Sequence, residues 1–483
     1  MQEKDYLDYK DLFIKKRKIF LNAVENYTQE QQNVFTEIIN ANVNTKYGKK
    51  YNFENIKTIK DFQNQIPISK YEDYDEYIKE ILYGKQNILT TEKVLLLEPT
   101  GGSTSGSKYI PYTESLKKAF NKGLEPWLSD LFLNYPEIIK NPMYWSITPA
   151  IKQENTKSQV PIGFDNDLAY LYSPFSDILS KQIIIPNIKD SSTEEFYDIT
   201  IKELKKHKNL AFVSVWNPTL FLNIIKKEKF TQKNWKNLKI ISCWDESNAK
   251  THAEKLKKQF KQTYIQGKGL LATEGIMTIP IEGIGKIPCI QSHFYEFIDI
   301  QTGDIKLLGE LELEKEYSIL LTTQGGLYRY RIGDIVKVYS KYKNCPLLSF
   351  IGRENNISDF FGEKLNEQFI KEIISKLKIN QKATFYMFTP YCNKDEFYYN
   401  MYYEGKADIK QLSLLFEKEL NKNYHYKYAR DLNQLEHFRI KKVKNGHKQY
   451  LENCIKHGQK LGDIKPIIFS KNLHWYFEIE EER

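Results

Sequence analysis

The stretch LLLEPTGGSTSGSKYIPYT, residues 95–113, decides how the rest of the chain is interpreted. An apolar run ends at Pro99, and the nine residues from Thr100 to Lys108 are glycines, hydroxyl residues and one lysine. Glycine lets the backbone come close to a ligand, hydroxyl and N–H groups donate hydrogen bonds, and lysine adds a positive charge. The stretch therefore predicts a phosphate-binding loop.

Two other nucleotide-binding loops do not fit this stretch. A Walker loop needs Gly-Lys followed directly by Ser or Thr at the start of a helix. Here Ser107 stands before Lys108, and the Tyr-Ile-Pro that follows is typical of a strand. The dinucleotide fingerprint Gly-x-Gly-x-x-Gly would need a third glycine at its own spacing, and the glycines of this stretch do not provide it. A solvated Ser/Gly linker is the alternative, and the apolar residues on both sides weigh against it.

Length and composition indicate a globular protein of more than one domain. A chain of 483 residues exceeds one ordinary core, and its hydrophobic content is 41%. The net charge of +9 is modest and spread along the chain, which predicts neither a nucleic-acid nor a membrane partner. The 5 cysteines lie far apart and are typical of reduced thiols in a cytosolic protein.

No targeting or membrane segment is evident in the sequence. The first residues, MQEKDYLDYKDLF, lack the apolar core of a signal peptide. No apolar run approaches the roughly 18 residues that a membrane span needs. We therefore expect a soluble, cytoplasmic protein, and the sequence makes no prediction of its oligomeric state.

Periodicity divides the chain into four regions. Apolar residues at helical spacing predict two helices within 5–43, and a further helix is predicted over 115–131. Between 143 and 262 short apolar strands alternate with helices, which predicts an α/β sheet. Residues 275–352 are rich in strand patterns. From 354 onward the pattern predicts a further unit, with helices over 363–377 and 407–421 and paired strands between them.

Two stretches of the β-rich part carry candidate nucleotide-binding residues. In GKGLLATEGIM (267–277), Thr273 and Glu274 follow a buried strand, and Mg²⁺ prefers one or two carboxylates together with phosphate oxygens. In TTQGGLYRYRIGDIVKV (322–338), Asp334 stands at a position suited to accepting hydrogen bonds from both hydroxyls of a ribose. The alternatives are a surface Thr-Glu pair and an ordinary turn aspartate.

Two later stretches carry one candidate each. In FIGRENNISDFFGEKLNE (350–367), Arg353 closes a strand, and the polar residues after it are candidates for a hinge. In GQKLGDIKP (458–466), Lys465 stands beside Pro466 in an extended segment. One lysine among so many carries little weight by itself, so the order and spacing of the whole set matter more.

With these stretches in order, the chain resembles nearly end to end the acyl-acid-amido synthetases of the auxin-conjugating (Gretchen-Hagen) family, including its bacterial-type members. This family belongs to the adenylate-forming (firefly luciferase-like) superfamily. The most specific signature is TTQGGLYRYRIGD, and others are TGGSTSGSKYIP, PIGFDNDLAYL, WNPTLFL, WKNLKIISCW, GLLATEG, FYEFI and LNKNYHYKYARD. The loop departs from the commoner Thr-Ser-Gly-Ser-Thr-Gly pattern, because Gly101 replaces Ser and Ser105 replaces Gly.

The resemblance implies an α/β fold of two domains. Residues 1–352 would form a large N-terminal adenylation body of α/β sheets and a β-barrel. Residues 353–362 would be a hinge, and residues 363–483 a small, mobile α+β lid domain.

The resemblance also implies ATP and Mg²⁺ as cofactors and assigns roles to residues. Thr273 and Glu274 would lie at the α-phosphate, with Glu274 at the metal. Asp334 would hold the ribose, Arg353 would lie between ribose and hinge, and Lys465 would be the catalytic lysine that bridges substrate carboxylate and phosphate. The ATP phosphates would be held by Gly102, Ser103, Thr104, Ser105, Gly106 and Lys108.

The implied chemistry suits this inventory of residues. A carboxylate is a poor electrophile, and transfer of AMP from ATP turns it into a mixed anhydride that an amine attacks. That step needs charge neutralisation and positioning rather than a covalent nucleophile. The scattered histidines, which lack metal-ligand spacing, are therefore expected to be structural or exposed. Aromatic candidates for the acyl pocket are Tyr144, Phe164, Trp216 and Phe221, with core packing as the alternative for each.

Three functions remain open at this point. The first is a ligase that adenylates a small carboxylic acid and transfers the acyl group to an amine, with an amino acid as the expected acceptor. The second replaces the amine by a thiol of coenzyme A or of a protein. The third is a non-catalytic nucleotide or acid sensor. Retention of Lys108, Glu274, Asp334 and Lys465 together argues against the sensor.

Overall fold

The computed structural model has two compact units, and the boundary between them in the sequence lies between Arg353 and Glu354. Each unit is described by itself below. The described residues are 3–100, 108–146, 158–164, 170–184, 186, 193–216, 218–246, 249–354, 357–393, 396–456, 468–471 and 475–480.

Helices cover much of the first unit. The two helices that begin the chain follow the apolar spacing, and Val34, Phe35 and Ile38 of the second are buried in the core. The longest helix after them begins directly after Thr113. The hydroxyl of Thr113 caps this helix by accepting a hydrogen bond from the N–H of Leu116. The helices are α1 (Glu3–Glu25), α2 (Tyr27–Ala41), α3 (Lys46–Lys50), α4 (Ile59–Gln65), α5 (Asp75–Leu82), α6 (Glu114–Asn134), α7 (Pro136–Lys140), α8 (Phe175–Gln182), α9 (Thr193–Lys206), α10 (Pro218–Glu228) and α11 (Lys250–Gln259).

A parallel sheet forms the centre of the first unit. Its two central strands, Phe212–Ser214 and Ile240–Cys243, are short runs that are buried on both faces, as expected when helices cover both sides. The described strands stand in the order β4-β3-β5-β6-β7, so the chain leaves β3 on one side and returns on the other. These strands are β3 (Met143–Trp145), β4 (Ile183–Ile184), β5 (Phe212–Ser214), β6 (Ile240–Cys243) and β7 (Tyr264–Gly267).

An antiparallel sheet and three hairpins complete the first unit. The described strands of this sheet stand in the order β13-β12-β14-β15-β16, and the hairpins are β1–β2, β8–β9 and β10–β11. The hairpin strands are β1 (Leu96–Thr100), β2 (Lys108–Tyr112), β8 (Leu271–Ala272), β9 (Gly275–Ile276), β10 (Thr278–Ile281) and β11 (Gly285–Pro288). The sheet strands are β12 (Phe294–Asp299), β13 (Ile305–Leu307), β14 (Glu316–Thr322), β15 (Tyr330–Tyr342) and β16 (Cys345–Arg353).

The second unit packs helices against one mixed sheet. Strands β19 and β20 pair antiparallel, and β21 joins β20 in parallel. The buried core includes Phe388, Tyr399 and Phe416. Its strands are β17 (Ile357–Ser358), β18 (Leu365–Asn366), β19 (Ala383–Asn393), β20 (Glu396–Gly405) and β21 (Arg439–Lys442). Its helices are α12 (Glu367–Lys376), α13 (Ile409–Leu420), α14 (Tyr424–Asp431) and α15 (Gly446–Lys456).

The predicted α/β fold class is confirmed, since a strand–helix alternation builds the parallel sheet and a smaller α+β unit follows. The helix predicted over 363–377 begins later, at Glu367, because Leu365 and Asn366 pair with β17. Within the part of the chain that the structure describes, none of the helices combines the length and apolar character that crossing a membrane requires.

Candidate active site

Thr273 and Glu274 form the turn of a short hairpin in the first unit. Strands β8 and β9 pair Ala272 with Gly275, so the two candidates are the two residues that join the strands. The hydroxyl of Tyr112 donates a hydrogen bond of 2.7 Å to the carbonyl of Thr273. Strand β2 therefore holds the turn, and the Glu274 carboxylate is partly exposed at its tip.

The buried side chain of His293 supports this turn. Nε2 of His293 accepts a hydrogen bond of 3.1 Å from the N–H of Ile276, and Nδ1 lies 3.2 Å from Oε1 of Gln324. Burial lowers the pKa of His293 to about 4, which keeps the ring neutral and able to accept. A Cβ at Gly275 would lie 2.8 Å from Nε2 of His293, so only glycine fits there without displacing the ring.

Lys108 reaches the same place from the start of β2. Lys108 and Tyr112 share one face of this strand, because side chains alternate along it. Nζ of Lys108 lies 5.2 Å from the ring centre of Tyr71. The hydroxyl of Tyr71 accepts a hydrogen bond of 2.6 Å from the N–H of Tyr109. Lys108 and the tyrosine that holds the Thr273 turn thus lie on the same face of β2.

The negative charge of Glu274 also affects the pKa values of nearby phenols. Burial is the main cause of the raised pKa values of Tyr71, Tyr112 and Tyr330, and the negative charge of Glu274 adds to it in all three. The phenols therefore stay neutral beside the carboxylate. We call Tyr71, Lys108, Tyr112, Thr273 and Glu274 the phosphate-side cluster.

Asp334 lies in an irregular part of β15. Residues Ser318 and Leu320 of β14 pair with Ile335 and Arg331, so two extra residues of β15 are accommodated between these pairs. Gly333 makes this possible with a φ of 81°, a left-handed conformation. Asp334 is 2% exposed and stands opposite Arg353 of β16 in the strand register. The bulge thus sets the position of Asp334, and the ribose roles of both residues stay predictions.

The phosphate-side cluster fits a magnesium ion bound mainly by a ligand. Mg²⁺ takes one or two carboxylates and completes its shell with phosphate oxygens and water. Glu274 supplies one partly exposed carboxylate, and the phenols near it are neutral. Among the described residues, no group of three or more His, Cys, Asp or Glu side chains is arranged to hold a metal by itself.

Several predicted site residues lie outside the described residues. The catalytic candidate Lys465 is one of them, so its role stays a prediction. The same holds for the loop residues Gly102, Ser103, Thr104, Ser105 and Gly106.

The aromatic candidates for the acyl pocket lie in different surroundings. Tyr144 and Phe221 are fully buried, and Phe221 packs against Trp235 and Phe260. Burial raises the pKa of Tyr144 to about 12. Phe164 is partly exposed, and its ring centre lies 5.0 Å from that of Tyr112 in the phosphate-side cluster.

Trp216 belongs to a group of side chains that the sequence analysis did not assemble. Nζ of Lys268 lies 4.9 Å from its ring centre, 5.4 Å from that of Trp127 and 5.7 Å from that of Trp145. Nζ also donates a hydrogen bond of 2.8 Å to the hydroxyl of Ser214. We call Lys268, Trp127, Trp145, Trp216 and Ser214 the tryptophan–lysine cage. A lysine between two glycines after a buried strand is the only signal that the sequence offers.

With this geometry in place, comparison with known proteins identifies the family. The GH3 family N-terminal domain matches residues 16–229, its central domain residues 287–353 and its C-terminal domain residues 367–474. The chain belongs to the GH3 family. The resemblance drawn from the motifs is confirmed, and GH3 domains of three kinds follow one another along the chain in family order.

Relatives within the GH3 family match over most of their length. The indole-3-acetic acid-amido synthetase GH3.10 of Arabidopsis thaliana is 23% identical, with 88% of this chain and 90% of the relative covered. The jasmonoyl–L-amino acid synthetase JAR4 of Nicotiana attenuata is 21% identical, with 79% of each covered. The solved GH3.15 acyl acid amido synthetase has a TM-score of 0.61 at 16% identity, with 94% of each chain covered, and shares the fold.

Proposed function

We propose that this GH3 protein is an ATP-dependent acyl acid amido synthetase. It adenylates a small carboxylic acid, releases pyrophosphate and transfers the acyl group to an amine, with an amino acid as the acceptor. The enzyme is thus a ligase that forms a carbon–nitrogen bond. The observation that carries the proposal is the joining of Lys108, Thr273 and Glu274 in one cluster, within a chain whose residues 16–229, 287–353 and 367–474 match GH3 domains.

The phosphate-side cluster is proposed to act on the polyphosphate of ATP. Lys108 provides a positive charge for the phosphate oxygens, while the carbonyl of Thr273, which accepts from Tyr112, fixes the turn beside them. Glu274 would hold the Mg²⁺ that accompanies ATP, and the ion would supply charge neutralisation at the phosphates. Positioning and electrostatics are sufficient for this step, because the substrate carboxylate is itself the nucleophile.

The remaining assignments complete the proposal from the family resemblance. The loop 102–106 is proposed to hold the phosphates together with Lys108, and Asp334 to accept hydrogen bonds from the ribose hydroxyls. Arg353 is proposed to act at the ribose and the hinge 353–362, and Lys465 to bridge the carboxylate and the α-phosphate. A lid of residues 363–483, a cytoplasmic location, and a small carboxylic acid and an amine as substrates, without a nucleic-acid or membrane partner, are parts of the same proposal.

The first experiment tests acid activation and is independent of the acceptor. Purified protein is incubated with ATP, Mg²⁺, labelled pyrophosphate and a panel of carboxylic acids, and label in ATP is measured. Acid-dependent exchange supports the ligase, and it also supports a thiol ligase at this stage. Absence of exchange with every acid, in a protein that binds ATP, would favour the nucleotide or acid sensor.

The second experiment distinguishes the acceptors. Each acid that supports exchange is offered amino acids or coenzyme A, and the products are identified by mass spectrometry. We expect an amide and no thioester. A thioester as the sole product would overturn the amine assignment, and would place the chain functionally closer to 2-hydroxyisobutyryl-CoA ligase, whose solved structure has a TM-score of 0.56 at 11% identity.

A third experiment tests the assignment of Lys465. Lys465→Ala is expected to abolish exchange while ATP binding, measured by calorimetry, stays close to that of the unsubstituted protein. The lysine is proposed to act in the transition state, so its loss lowers the rate rather than the affinity. Lys444→Ala, a change at an exposed lysine of the same unit, is the matched control. Undiminished exchange in Lys465→Ala would remove this residue from the mechanism.

A further inference from the structure

The motif TTQGGLYRYRIGD contains an arginine that the proposed function does not use. Arg329 is 3% exposed, and its guanidinium forms a two-point ion pair with Glu296, over 3.0 Å from Nε to Oε2 and 3.1 Å from Nη2 to Oε1. Its Nη1 donates to the carbonyls of Gln63 and Ile66 over 2.9 and 2.7 Å. The rigid fork of a guanidinium suits such a set of acceptors. Arg329 thus ties the end of α4 to the antiparallel sheet.

The segment that follows α4 is bound to the start of β15 by further hydrogen bonds. The N–H of Ser69 donates to the carbonyl of Arg329 over 3.1 Å, and the carbonyl of Ser69 accepts from the N–H of Arg331 over 2.8 Å. The hydroxyl of Tyr74 donates to the carbonyl of Tyr328 over 3.0 Å and accepts from the N–H of the same residue over 2.8 Å. The turn between Ser69 and Tyr74 is therefore held at both ends.

The hydroxyl of Tyr71, in this turn, contacts strand β2 at the end of the predicted phosphate loop. It accepts the hydrogen bond of 2.6 Å from the N–H of Tyr109 and donates a longer one of 3.4 Å to the carbonyl of the same residue. Tyr109 stands opposite Pro99, whose nitrogen carries no hydrogen, so β1 cannot donate to this carbonyl from that position. One phenol thus contacts both backbone polar groups of the residue next to Lys108.

The ring of Tyr71 contacts the lysine itself. Nζ of Lys108 lies 5.2 Å from the ring centre, a distance at which an ammonium is attracted to the face of a phenol. Tyr71 is 9% exposed, whereas Lys108 is partly exposed, so a buried ring supports a side chain that water reaches. Burial raises the pKa of the Tyr71 phenol, which keeps it neutral and able both to accept and to donate.

We propose that Tyr71 is a positioning residue for the nucleotide, whose hydroxyl holds the start of β2 and whose ring holds the ammonium of Lys108 toward the phosphates of ATP. This inference rests on the proposed role of Lys108. A lysine side chain loses rotamer freedom when it binds a ligand, and one that already lies against a ring loses less. Tyr71 therefore strengthens ATP binding without contacting the substrate. Arg329 and Glu296 act one step further back, because they fix the turn that carries Tyr71.

The test measures ATP affinity in two variants of Tyr71. Tyr71→Phe keeps the ring and removes the hydroxyl that contacts Tyr109, and it should raise the KM of ATP in the exchange assay about fivefold. Tyr71→Leu also removes the ring beside the ammonium, and it should raise this KM about threefold further. The KM of the acid should change little in both variants, because the proposed role concerns only the phosphates. Calorimetric titration with ATP alone measures the same affinities without an acid.

A second background distinguishes positioning from packing. The step from Tyr71→Phe to Tyr71→Leu should be about threefold with Lys108 and absent in Lys108→Met, because the ring then has no ammonium to hold. If Tyr71→Leu does not fold, fluorinated phenylalanines at position 71 replace it, since fluorine withdraws negative charge from the ring face and nearly keeps its shape. The KM of ATP should then rise with each added fluorine in the presence of Lys108 and stay constant in Lys108→Met.

Tyr77 offers a matched control on the neighbouring helix α5. It is 7% exposed, and its ring centre lies 5.8 Å from Nζ of Lys46 and 5.6 Å from Nζ of Lys50. Tyr77→Phe and Tyr77→Leu thus change a buried ring that lies beside lysines outside the phosphate-side cluster. They should lower the melting temperature about as much as the Tyr71 variants do and leave the KM of ATP unchanged.

The outcomes separate this inference from the proposed function. Absence of exchange with every acid, in a protein that binds ATP, would refute the ligase, and calorimetry with ATP would still test Tyr71. Unchanged ATP affinity in both Tyr71 variants would refute the positioning role and leave the ligase standing. An equal step with Lys108 and in Lys108→Met, or an equal effect of the Tyr77 variants on the KM of ATP, would show that Tyr71 only packs in the core, which also overturns the inference.

Discussion

Two lysines of the N-terminal unit stand beside aromatic rings, and their surroundings differ. Lys108 is partly exposed and lies near the single ring of Tyr71, whereas Lys268 is buried among three indoles. The charge of Lys108 is screened by water and salt, so it suits a polyphosphate with several negative oxygens. A charge in a buried site interacts more strongly with one well-placed acceptor. The comparison teaches that the unit holds two differently placed ammonium groups beside aromatic rings, and Lys108, the more exposed one, is the one proposed to act on ATP.

The supports of the two sites differ in the same sense. In the phosphate-side cluster, the β8–β9 hairpin is held by a hydrogen bond from the hydroxyl of Tyr112 to the carbonyl of Thr273 and by one from the N–H of Ile276 to Nε2 of His293. The tryptophan–lysine cage stands at the ends of strands in a parallel sheet with helices around it. A rigid sheet edge holds its side chains in a fixed arrangement. A hairpin turn tolerates small movements as the phosphates change.

The largest expected effect is that of Glu274→Gln. The change keeps the shape of the side chain and removes the charge proposed to hold Mg²⁺, so exchange should fall at least about 100-fold. The melting temperature should stay constant, because the carboxylate is partly exposed at a turn. Glu76→Gln, an exposed position on α5, serves as the control in both measurements. Normal exchange in Glu274→Gln would place activation outside the phosphate-side cluster.

The next effect concerns pH and His293. Its pKa is about 4 in the folded chain and about 6.5 when unfolded, so between these values only the unfolded chain binds the proton. The resulting stability is complete above pH 6.5 and is lost as the pH falls to 4, by up to about 3 kcal/mol. His293→Gln stays neutral and offers an acceptor to Ile276. Melting temperatures between pH 4 and 7 should therefore fall less steeply in this variant.

The control for this pH dependence lies in the second unit. Burial also lowers the pKa of His425 to about 4, but this ring is partly exposed, so a smaller effect is expected. His425→Gln should change the pH dependence of melting less than His293→Gln does. An equal or larger change in His425→Gln would show that the histidine below the Glu274 turn is not the more sensitive one.

A smaller effect concerns Lys108 and salt. Lys108→Met should raise the KM of ATP about tenfold at low ionic strength and clearly less in 0.5 M salt, where the screening length is only a few ångströms. The KM of ATP is measured by exchange at both salt concentrations, with Lys261→Met, a change at an exposed lysine before β7, as the control. An effect of Lys108→Met that is equal at both salt concentrations would contradict a solvent-screened charge at the phosphates.

Local signals point to the residues of one of these clusters and not to those of the other. Thr273 and Glu274 follow a strand pattern, and Lys108 ends a glycine-rich stretch, so residue types and neighbours predicted a phosphate site. The tryptophan–lysine cage depends on the order of the strands, which brings the ends of β3, β5 and β7 together. No single stretch contains that information, because pairing between distant strands is decided by packing of the whole unit.

The aromatic candidates show the same limit within one pattern. Tyr144 and Trp145 are neighbours on β3, and alternation sends their side chains to opposite faces of the sheet. The sequence predicts Tyr144 as a candidate for the acyl pocket, and Trp145 is the neighbour that lies near Lys268. The alternation shows that the two rings face opposite sides of the sheet. Which of the two sides is open to a ligand depends on the helices that cover the sheet.

The smallest expected effect tests the hydrogen bond that joins β2 to the Glu274 turn. Tyr112→Phe removes the donor to the carbonyl of Thr273 and should cost about 1 kcal/mol, which lowers exchange a few-fold. Tyr328→Phe is a matched control, because it removes a phenol that donates over 2.6 Å to the carbonyl of Leu89. Both variants should melt at lower temperature, but only Tyr112→Phe should exchange more slowly well below melting. Equal exchange in both variants would mean that the position of the turn does not limit activation.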